Sequence, residues 1–247
     1  MLVASLHNKL RPDEERMEDL LTAQVLGAAR YLPADACWGP LVGAARTRSG
    51  ERLALAELPD DVETRFWPRW RHDDGRTTEP DLVLRWPGAL LVVEVKYRSG
   101  KSSVADPETD AVTDQLGRQL VLARERATAE GRGTWGVLYL TTDPTQPGRS
   151  LQASLDEVQA KAGWDATPFL AWASWPDVHD GLLAWTPIAR GHRQMRADLL
   201  AYLDRLGFSR FAGVHVVPPI PALWRFARAT PWATPTPPPT WTFGANS

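Results

Sequence analysis

Cysteine is almost absent from this 247-residue sequence, since Cys37 is the only one. An intramolecular disulfide and a zinc site built from several cysteines are therefore excluded. The five histidines are scattered without a pair at metal-ligand spacing, so we do not expect a histidine zinc site either. No segment approaches the roughly 20 continuous apolar residues that a bilayer span needs, and the N-terminus lacks the order of a secretory signal. We therefore expect a cytoplasmic protein that does not associate with membranes.

A strong net charge is also lacking. The formal charge is -2 and the pI is about 6.2, so nothing in the overall charge indicates nucleic-acid binding. Such a function would have to depend on a local basic surface or on bound cations. The length and the 43% content of hydrophobic residues are those of a globular protein with a full core. Lysine is rare, with only four in the chain, so each lysine in a patterned position is informative.

Alternating and helical patterns along the chain predict a mixed α/β domain. The predicted helices cover about residues 13–31, 110–130, 151–162 and 190–206. The predicted strands lie within 51–71 and at 81–86, 89–97, 134–142 and 168–175. Glu18 shares a helix face with Leu21, Val25 and Ala29. The order is a helix, a three-stranded β-meander, a helix and a strand, followed by a further strand and helix.

The last part of the chain has a different composition. Residues 218–247 are dense in proline and tryptophan, which is incompatible with a central strand or helix and favours an extended chain. We therefore divide the sequence into a domain at residues 1–217 and a Pro/Trp-rich tail at 218–247. The tail could lie on the surface, act as a linker or dock another protein.

Two carboxylates are expected to face each other in a β-hairpin. If the turn is symmetric about Pro87 and Gly88, Asp81 lies directly across from Glu94. Like charges at such positions repel unless something positive lies between them, and a divalent cation is the simplest candidate. Strand alternation also places Lys96 on the same face as Glu94. A loop of odd length remains the alternative, because Pro-Gly suits a type II turn, and it would shift this register.

These residues resemble the signature of the PD-(D/E)XK nuclease superfamily. Pro80-Asp81 is followed by twelve residues and then by Glu94-Val95-Lys96. The segment MEDLLTAQVLG, which contains Glu18, resembles the first helix of many members. The segment DQLGRQLVLA resembles their glutamine-bearing helix, but RecB-type members carry a tyrosine where this sequence has Gln119, so the chain is not placed in that subgroup. The resemblance covers roughly residues 13–141 and implies a restriction-endonuclease-like core.

The resemblance also implies roles for individual residues. Asp81 and Glu94 would bind Mg²⁺ or Mn²⁺ together with the backbone carbonyl of Val95, while Glu18 would bind the metal or its waters. Lys96 would hold the attacking water or stabilise the developing negative charge. Oxygen-ligated divalent cations suit phosphodiester hydrolysis because they activate water and neutralise phosphoryl charge. The implied activity is that of a metal-dependent deoxyribonuclease, and an endonuclease is the expected form.

Further residues are expected to assist. Gln115 would orient Lys96 or the phosphate. Candidate phosphate contacts are the basic residues Arg65, Arg69, Arg71, Arg98 and Lys101. A homodimer would be needed to cut both strands of a duplex together, because one site cuts one strand.

Two other functions stay open at this point. The chain could be a non-catalytic nucleic-acid-binding or sensing protein that keeps the nuclease fold, although the presence of all the acidic residues and the lysine argues against loss of activity. It could also be an interaction module that works through its tail. If it is a nuclease, restriction, repair and phage defence are all compatible with the pattern.

Overall fold

The computed structural model describes residues 18–71, 75, 77–97 and 100–210. The α-helices are α1 (Glu18–Ala29), α2 (Trp38–Ala44), α3 (Gln115–Ala129), α4 (Gly148–Ala162), α5 (Trp175–Ala184) and α6 (Arg190–Arg205). The strands are β1 (Arg46–Thr47), β2 (Glu63–Phe66), β3 (Trp70–Arg71), β4 (Thr77–Thr78), β5 (Leu82–Trp86), β6 (Ala89–Val95), β7 (Thr134–Thr141) and β8 (Leu170–Ser174). The predicted mixed α/β class is confirmed.

One six-stranded sheet organises the described residues, in the order β1-β8-β7-β6-β5-β2. Strands β2, β5 and β6 are antiparallel neighbours, as expected of a meander, whereas β6, β7 and β8 run parallel. The parallel step from β6 to β7 needs a crossover, which α3 provides. Strands β3 and β4 form a separate two-stranded hairpin inserted between β2 and β5.

Helices cover both faces of the sheet. Because side chains alternate along a strand, β5 and β6 bury successive residues in two different clusters. Leu84 and Leu91 pack with Leu21 of α1 on one face. Val83 and Val92 lie on the other face, in the cluster that includes residues of α3 and α4. All residues of β5 and β6 are buried, so their continuous apolar runs are those of a central, doubly covered sheet.

The hairpin register agrees with the sequence-based prediction. Trp86 pairs with Ala89 and Val83 with Val92, which leaves Pro87 and Gly88 as a two-residue turn. Gly88 has a φ of +77°, a left-handed conformation that glycine adopts without strain. The odd loop length is thereby ruled out, and the register carries Asp81 to a position beside Glu94.

Helix α3 begins later than predicted. The apolar stripe suggested a start near residue 110, but the helix starts at Gln115. Asp114 is its N-cap, because one of its carboxylate oxygens accepts hydrogen bonds from the backbone N–H groups of Leu116 and Gly117 at 3.0 and 3.1 Å. The residues before Asp114 form a loop whose end is fixed by this cap.

Several elements were not predicted, namely α2, α5, β1 and β4, whereas β3 lies within the span 51–71 where strands were expected. The strand predicted to reach Trp175 ends at Ser174, and α5 begins directly after it. Asp177 accepts hydrogen bonds from the N–H and the hydroxyl of Ser174 at 2.8 and 2.7 Å. This Ser-x-x-Asp spacing forms a capping box, which is the sequence signal for a helix that starts at Trp175.

The predicted tail at residues 218–247 lies outside the described residues, as does the predicted domain boundary at residue 217. The predicted start of the first helix, before Glu18, lies outside them too. Among the helices that the structure describes, none is both long and apolar enough to cross a membrane.

Candidate active site

Asp81 and Glu94 form a buried carboxylate pair at the end of the β5–β6 hairpin. Glu94 is the penultimate residue of β6, and Asp81 directly precedes β5. Both are buried, with Glu94 only 2% exposed. One oxygen of Asp81 accepts a hydrogen bond from the N–H of Val95 at 2.8 Å, so the backbone next to Glu94 fixes the Asp81 side chain. The two acidic residues predicted to face each other are therefore brought together.

Lys96 lies between two carboxylates. Its ammonium is 2.7 Å from Glu94 Oε1 and 2.9 Å from Glu18 Oε1. The second oxygen of Glu18 accepts a hydrogen bond from the N–H of Tyr97 at 2.9 Å. Helix α1 thus reaches the end of β6 through Glu18, the residue that the sequence analysis singled out. In this arrangement Glu18 contacts Lys96 and the Tyr97 backbone, and its expected contact with a metal stays a prediction.

Two amides from α3 hold the Glu94 carboxylate. Gln115 donates a hydrogen bond to Glu94 Oε1, and Gln119 donates one to Glu94 Oε2. Gln115 also accepts a hydrogen bond from the N–H of Ser102 at 2.7 Å. Of these two glutamines, Gln115 was preferred over Gln119 as the assisting residue, and both contact Glu94. The signal for Gln119 was available, because residues four apart lie on the same face of a helix.

Burial and mutual repulsion perturb the carboxylates. Burial, and next the charge of Glu94, raise the pKa of Asp81 to about 7, against the opposing effects of the Val95 N–H and of Lys96. Burial also raises the pKa of Glu94 above its ordinary value, although Lys96 and Gln119 oppose the shift. With a pKa of about 7, Asp81 is only partly ionised at neutral pH when no cation is bound.

The ionised form of Lys96 is favoured, in contrast to the ionised forms of Asp81 and Glu94. Burial disfavours its charged form, but the carboxylates of Glu94 and Glu18 outweigh that effect and raise its pKa. The side chain therefore stays an ammonium at neutral pH. In this state Lys96 can donate hydrogen bonds and stabilise negative charge, but it cannot accept a proton.

Tyr139 is a further buried residue at this site that the sequence did not reveal. It pairs with Glu94 in the parallel register of β6 and β7. Burial, together with the charges of Asp143 and Glu94, raises the pKa of Tyr139 to about 12 despite the opposing charge of Lys96. Its hydroxyl therefore remains protonated and available as a donor. No local pattern could show this, because the pairing depends on a crossover through α3.

Trp67 holds the backbone beside Asp81. It is the one non-glycine residue with positive φ (+47°) among those described, and its N–H donates a hydrogen bond to the carbonyl of Asp81 at 3.1 Å. Left-handed backbone at a bulky residue costs about 1–3 kcal/mol and concentrates at functional sites. This strained residue, directly after β2, therefore fixes the backbone of Asp81 just before β5.

The predicted phosphate contacts differ in their placement. Arg65 lies on β2, Arg69 directly precedes β3 and Arg71 lies on β3. All three are exposed, with side chains 63% exposed for Arg65 and 82% for Arg69. Arg98 lies outside the described residues. Lys101 is directed inward, where it donates to Asp114 and, at 3.1 and 3.0 Å, to the Ser150 carbonyl and the Ser154 hydroxyl.

Three acceptors account for the three protons of the Lys101 ammonium, which is 6% exposed. Its role is to join the loop before α3 to α4. We correct the sequence-based assignment accordingly and no longer regard Lys101 as a phosphate contact.

The donor set fits a hard divalent cation that keeps several waters. Within the part of the chain that the structure describes, no three Asp, Glu, His or Cys side chains are gathered into a metal site. The reason is that the Lys96 ammonium lies between Glu18 and Glu94. Two carboxylates remain, Asp81 and Glu94, and Mg²⁺ is commonly held by one or two carboxylates with water and substrate phosphate completing its shell.

One comparison with known proteins found a match, and it overlaps the segment that carries the carboxylate pair. Residues 46–125 match the family model of the nuclease-related domain, which is less than half of the chain. The matched span contains Asp81, Glu94, Lys96, Gln115 and Gln119, and it leaves out Glu18. No curated protein and no solved structure matches the chain. The segment that carries the carboxylate pair is therefore similar to the nuclease-related domain.

Proposed function

We propose that this chain is a metal-dependent nuclease of the PD-(D/E)XK superfamily that hydrolyses phosphodiester bonds in DNA. The observation that carries the proposal is the buried pair Asp81 and Glu94, with the Lys96 ammonium 2.7 Å from Glu94. Three carboxylates and one ammonium in one cluster leave an excess of negative charge that a divalent cation would neutralise. The nuclease-related match over residues 46–125 supports the same activity.

Asp81 and Glu94 would hold Mg²⁺ or Mn²⁺, and the carbonyl of Val95 is the proposed third protein ligand. A bound divalent cation supplies a nucleophilic water at neutral pH and neutralises charge on the phosphoryl oxygens. The residues of the chain hold the two carboxylates in place. Val95 N–H fixes Asp81, and the two amides of α3 fix both oxygens of Glu94.

Lys96 would stabilise the negative charge that develops on the phosphoryl group. Two carboxylates hold its ammonium in the charged form and in one orientation, so the donor is in place before substrate binds. Glu18 would then act by positioning Lys96. This role differs from the metal contact that the resemblance implies, and the Mg²⁺ dependence of a Glu18→Gln variant separates the two. Loss of a metal contact should raise the Mg²⁺ concentration needed for cleavage, whereas loss of the Lys96 partner should slow cleavage at saturating Mg²⁺.

The proposal is tested with supercoiled plasmid and with labelled single-stranded and double-stranded oligonucleotides in Mg²⁺, Mn²⁺ or EDTA. Wild type is compared with Asp81→Ala, Lys96→Ala and the control Asp156→Ala, an exposed position on α4. We expect metal-dependent cutting by wild type and the control alone. Nicking of closed circles would establish endonuclease action. Binding without cutting in every metal would instead support the non-catalytic nucleic-acid-binding function.

Assembly and the tail belong to the proposal as well. Cutting both strands together would require a homodimer, which sedimentation of the DNA-bound protein would detect. If residues 218–247 dock another protein, a chain truncated after residue 217 should keep its cleavage activity and lose that partner.

A further inference from the structure

Five arginines surround one concavity that lies apart from the carboxylate pair. The space measures about 700 Å³. The arginines that line it are Arg30, Arg65, Arg69, Arg85 and Arg126, and Glu130 is the one acidic residue in the lining. They come from the turn directly after α1, from β2, the segment before β3, β5 and α3. Only Arg65 and Arg69 belonged to the sequence-based candidates, so Arg30, Arg85 and Arg126 have no assigned role.

Arg85 places a buried positive charge at this concavity. Its side chain is 9% exposed, and its Nε donates to both oxygens of Glu130 at 3.2 and 3.1 Å. Its Nη1 is buried and has no hydrogen-bond partner among the described residues. Glu130 is shared with Arg132, whose Nε is 3.3 Å from the same carboxylate. Arg85 lines the concavity, and within the described part of the chain its positive charge is balanced only by a carboxylate that is shared with Arg132, so an oxyanion in the concavity would be favoured.

The remaining arginines are placed to contribute. Arg126 lies over the ring of Trp70 at 5.8 Å, and Trp70 is buried, so the ring supports the guanidinium and is not available for stacking on a base. Arg65 and Arg69 pair with Glu63 and Glu79 on the surface. Exposed pairs of this kind contribute little, so both arginines can exchange their partner for a stronger anionic ligand at small cost.

The concavity and the carboxylate pair share one face of the sheet. Asp81, Val83 and Arg85 are alternate residues along β5, and Arg65 pairs with Val83 from β2. Arg85 is four residues from Asp81, which corresponds to about 13 Å along a strand. That distance equals roughly four nucleotide steps at the 3.4 Å axial spacing of one DNA strand. Val83, which lies between them, is buried against α3, so this spacing is the shortest length of strand that could join the two sites.

We propose that the arginine concavity binds a backbone phosphate of a nucleic-acid strand, at least about four nucleotides from the bond that is cut. The planar guanidinium group matches the geometry of phosphate oxygens, and several arginines from different elements fix its position. The position of the cut bond rests on the proposed function, whereas the phosphate site itself does not. The site would set the register of the strand and would not distinguish between base sequences.

The test measures binding of a fluorescent single-stranded DNA oligonucleotide in EDTA, by anisotropy at several salt concentrations. Arg126→Gln and Arg65→Gln are compared with Arg124→Gln. Arg124 is the matched control, because it lies on the same helix two residues from Arg126 but contacts the ring of Trp164 at 4.8 Å. All three positions are at least partly exposed, so the variants should fold, and thermal melting verifies this.

We expect Arg126→Gln and Arg65→Gln each to weaken binding severalfold and to reduce the slope of log K against log salt by about 0.7. Arg124→Gln should match wild type. Unchanged binding by Arg126→Gln, or an equal loss in Arg124→Gln, would overturn the proposal. Inorganic phosphate is the second probe, and it should compete weakly with the oligonucleotide for wild type. If phosphate binds through Arg126 while oligonucleotide binding ignores that residue, the site takes free phosphate and the strand assignment is wrong.

Because binding is measured on uncut DNA, the two proposals fail separately. Cleavage by wild type with normal DNA binding by Arg126→Gln would remove the phosphate site and leave the nuclease. Arg126-dependent binding without cleavage in any metal would support the phosphate site and contradict the nuclease proposal.

Discussion

Glu157→Ala should destabilise the protein strongly, because this buried carboxylate on α4 holds the loop that precedes α3. Its oxygens accept hydrogen bonds from the N–H of Asp114 at 2.8 Å, from the N–H and hydroxyl of Thr113 at 3.1 and 3.0 Å, and from the Lys161 ammonium at 2.8 Å. The N-cap of the helix that carries the two amides beside Glu94 is thereby fixed from outside the helix.

The magnitude follows from what the substitution leaves behind. Hydrogen bonds to a charged group contribute about 1.5–3 kcal/mol each, and buried donors without partners cost about 1–3 kcal/mol. The Lys161 ammonium would not be left without acceptors, because it also donates to the carbonyls of Asp106 and Ala111 at 2.6 and 3.1 Å. Its loss of one contact therefore costs less than the loss of an only partner would. We therefore expect a loss of about 3 kcal/mol, less than the sum of the separate contacts. For a domain of this size the melting temperature should fall by about 6–12 °C.

The assay is thermal unfolding followed by circular dichroism, with Asp156→Ala as the control. Asp156 is the neighbouring residue on α4, is exposed and accepts a hydrogen bond from Gln152 at 2.8 Å, so its loss should change stability by less than about 0.5 kcal/mol. Equal melting temperatures for the two variants would refute the reasoning.

The same carboxylate predicts a pH dependence. Burial acts to raise the pKa of Glu157, but hydrogen bonds from Lys161, Asp114 and Thr113 outweigh it and hold the pKa below its ordinary value of 4.5. A lowered folded-state pKa means that the stabilisation is complete above about pH 4.5 and is lost as the pH falls through the folded value. The stability difference between wild type and Glu157→Gln should therefore shrink below that pH, and a constant difference would contradict this assignment.

Three further predictions concern other regions. Gly181→Ala should lower the free energy of unfolding by about 1–3 kcal/mol, because the added Cβ would lie 2.4 Å from Cβ of Pro40. Gly27→Ala should raise it by up to about 1 kcal/mol, because the added Cβ would point into open space on α1. Chemical denaturation measures both changes. Burial raises the pKa of Cys37 to about 12, so its thiol should react with a disulfide reagent only after unfolding, and rapid reaction in native buffer would contradict this. Gln119→Ala should slow cleavage by about 10- to 100-fold by releasing one oxygen of the proposed metal ligand, and a rate equal to wild type would show that this contact is unimportant.

Much of the site could be predicted because its central geometry is local. The turn at Pro87-Gly88 and strict alternation along two strands were enough to place Asp81 beside Glu94 and to put Lys96 on the same face. Glu18 could be selected from its helical spacing with apolar residues. These patterns depend on neighbours in the sequence, so the sequence contains them.

The rest depended on contacts between distant segments. Tyr139 lies beside Glu94 only because β7 returns parallel to β6 after a helical crossover. Lys101 resembled a surface cation in the sequence, and the buried acceptor that directs it inward comes from Asp114, whose capping position was itself misplaced by the predicted helix start. Arg85 interrupts an apolar strand, and its partner Glu130 follows at the end of α3. Pairings of this kind are fixed by the assembled core.

The most direct test of the central claim is the rate at which supercoiled plasmid is nicked in Mg²⁺ by wild type and by Asp81→Asn. The substitution preserves the shape of the side chain and an oxygen that can accept the Val95 N–H, and it removes the charge that a divalent cation requires. The account predicts Mg²⁺-dependent nicking by wild type that EDTA abolishes and that Asp81→Asn lacks. Nicking by Asp81→Asn at the wild-type rate, with the same dependence on Mg²⁺, would contradict it.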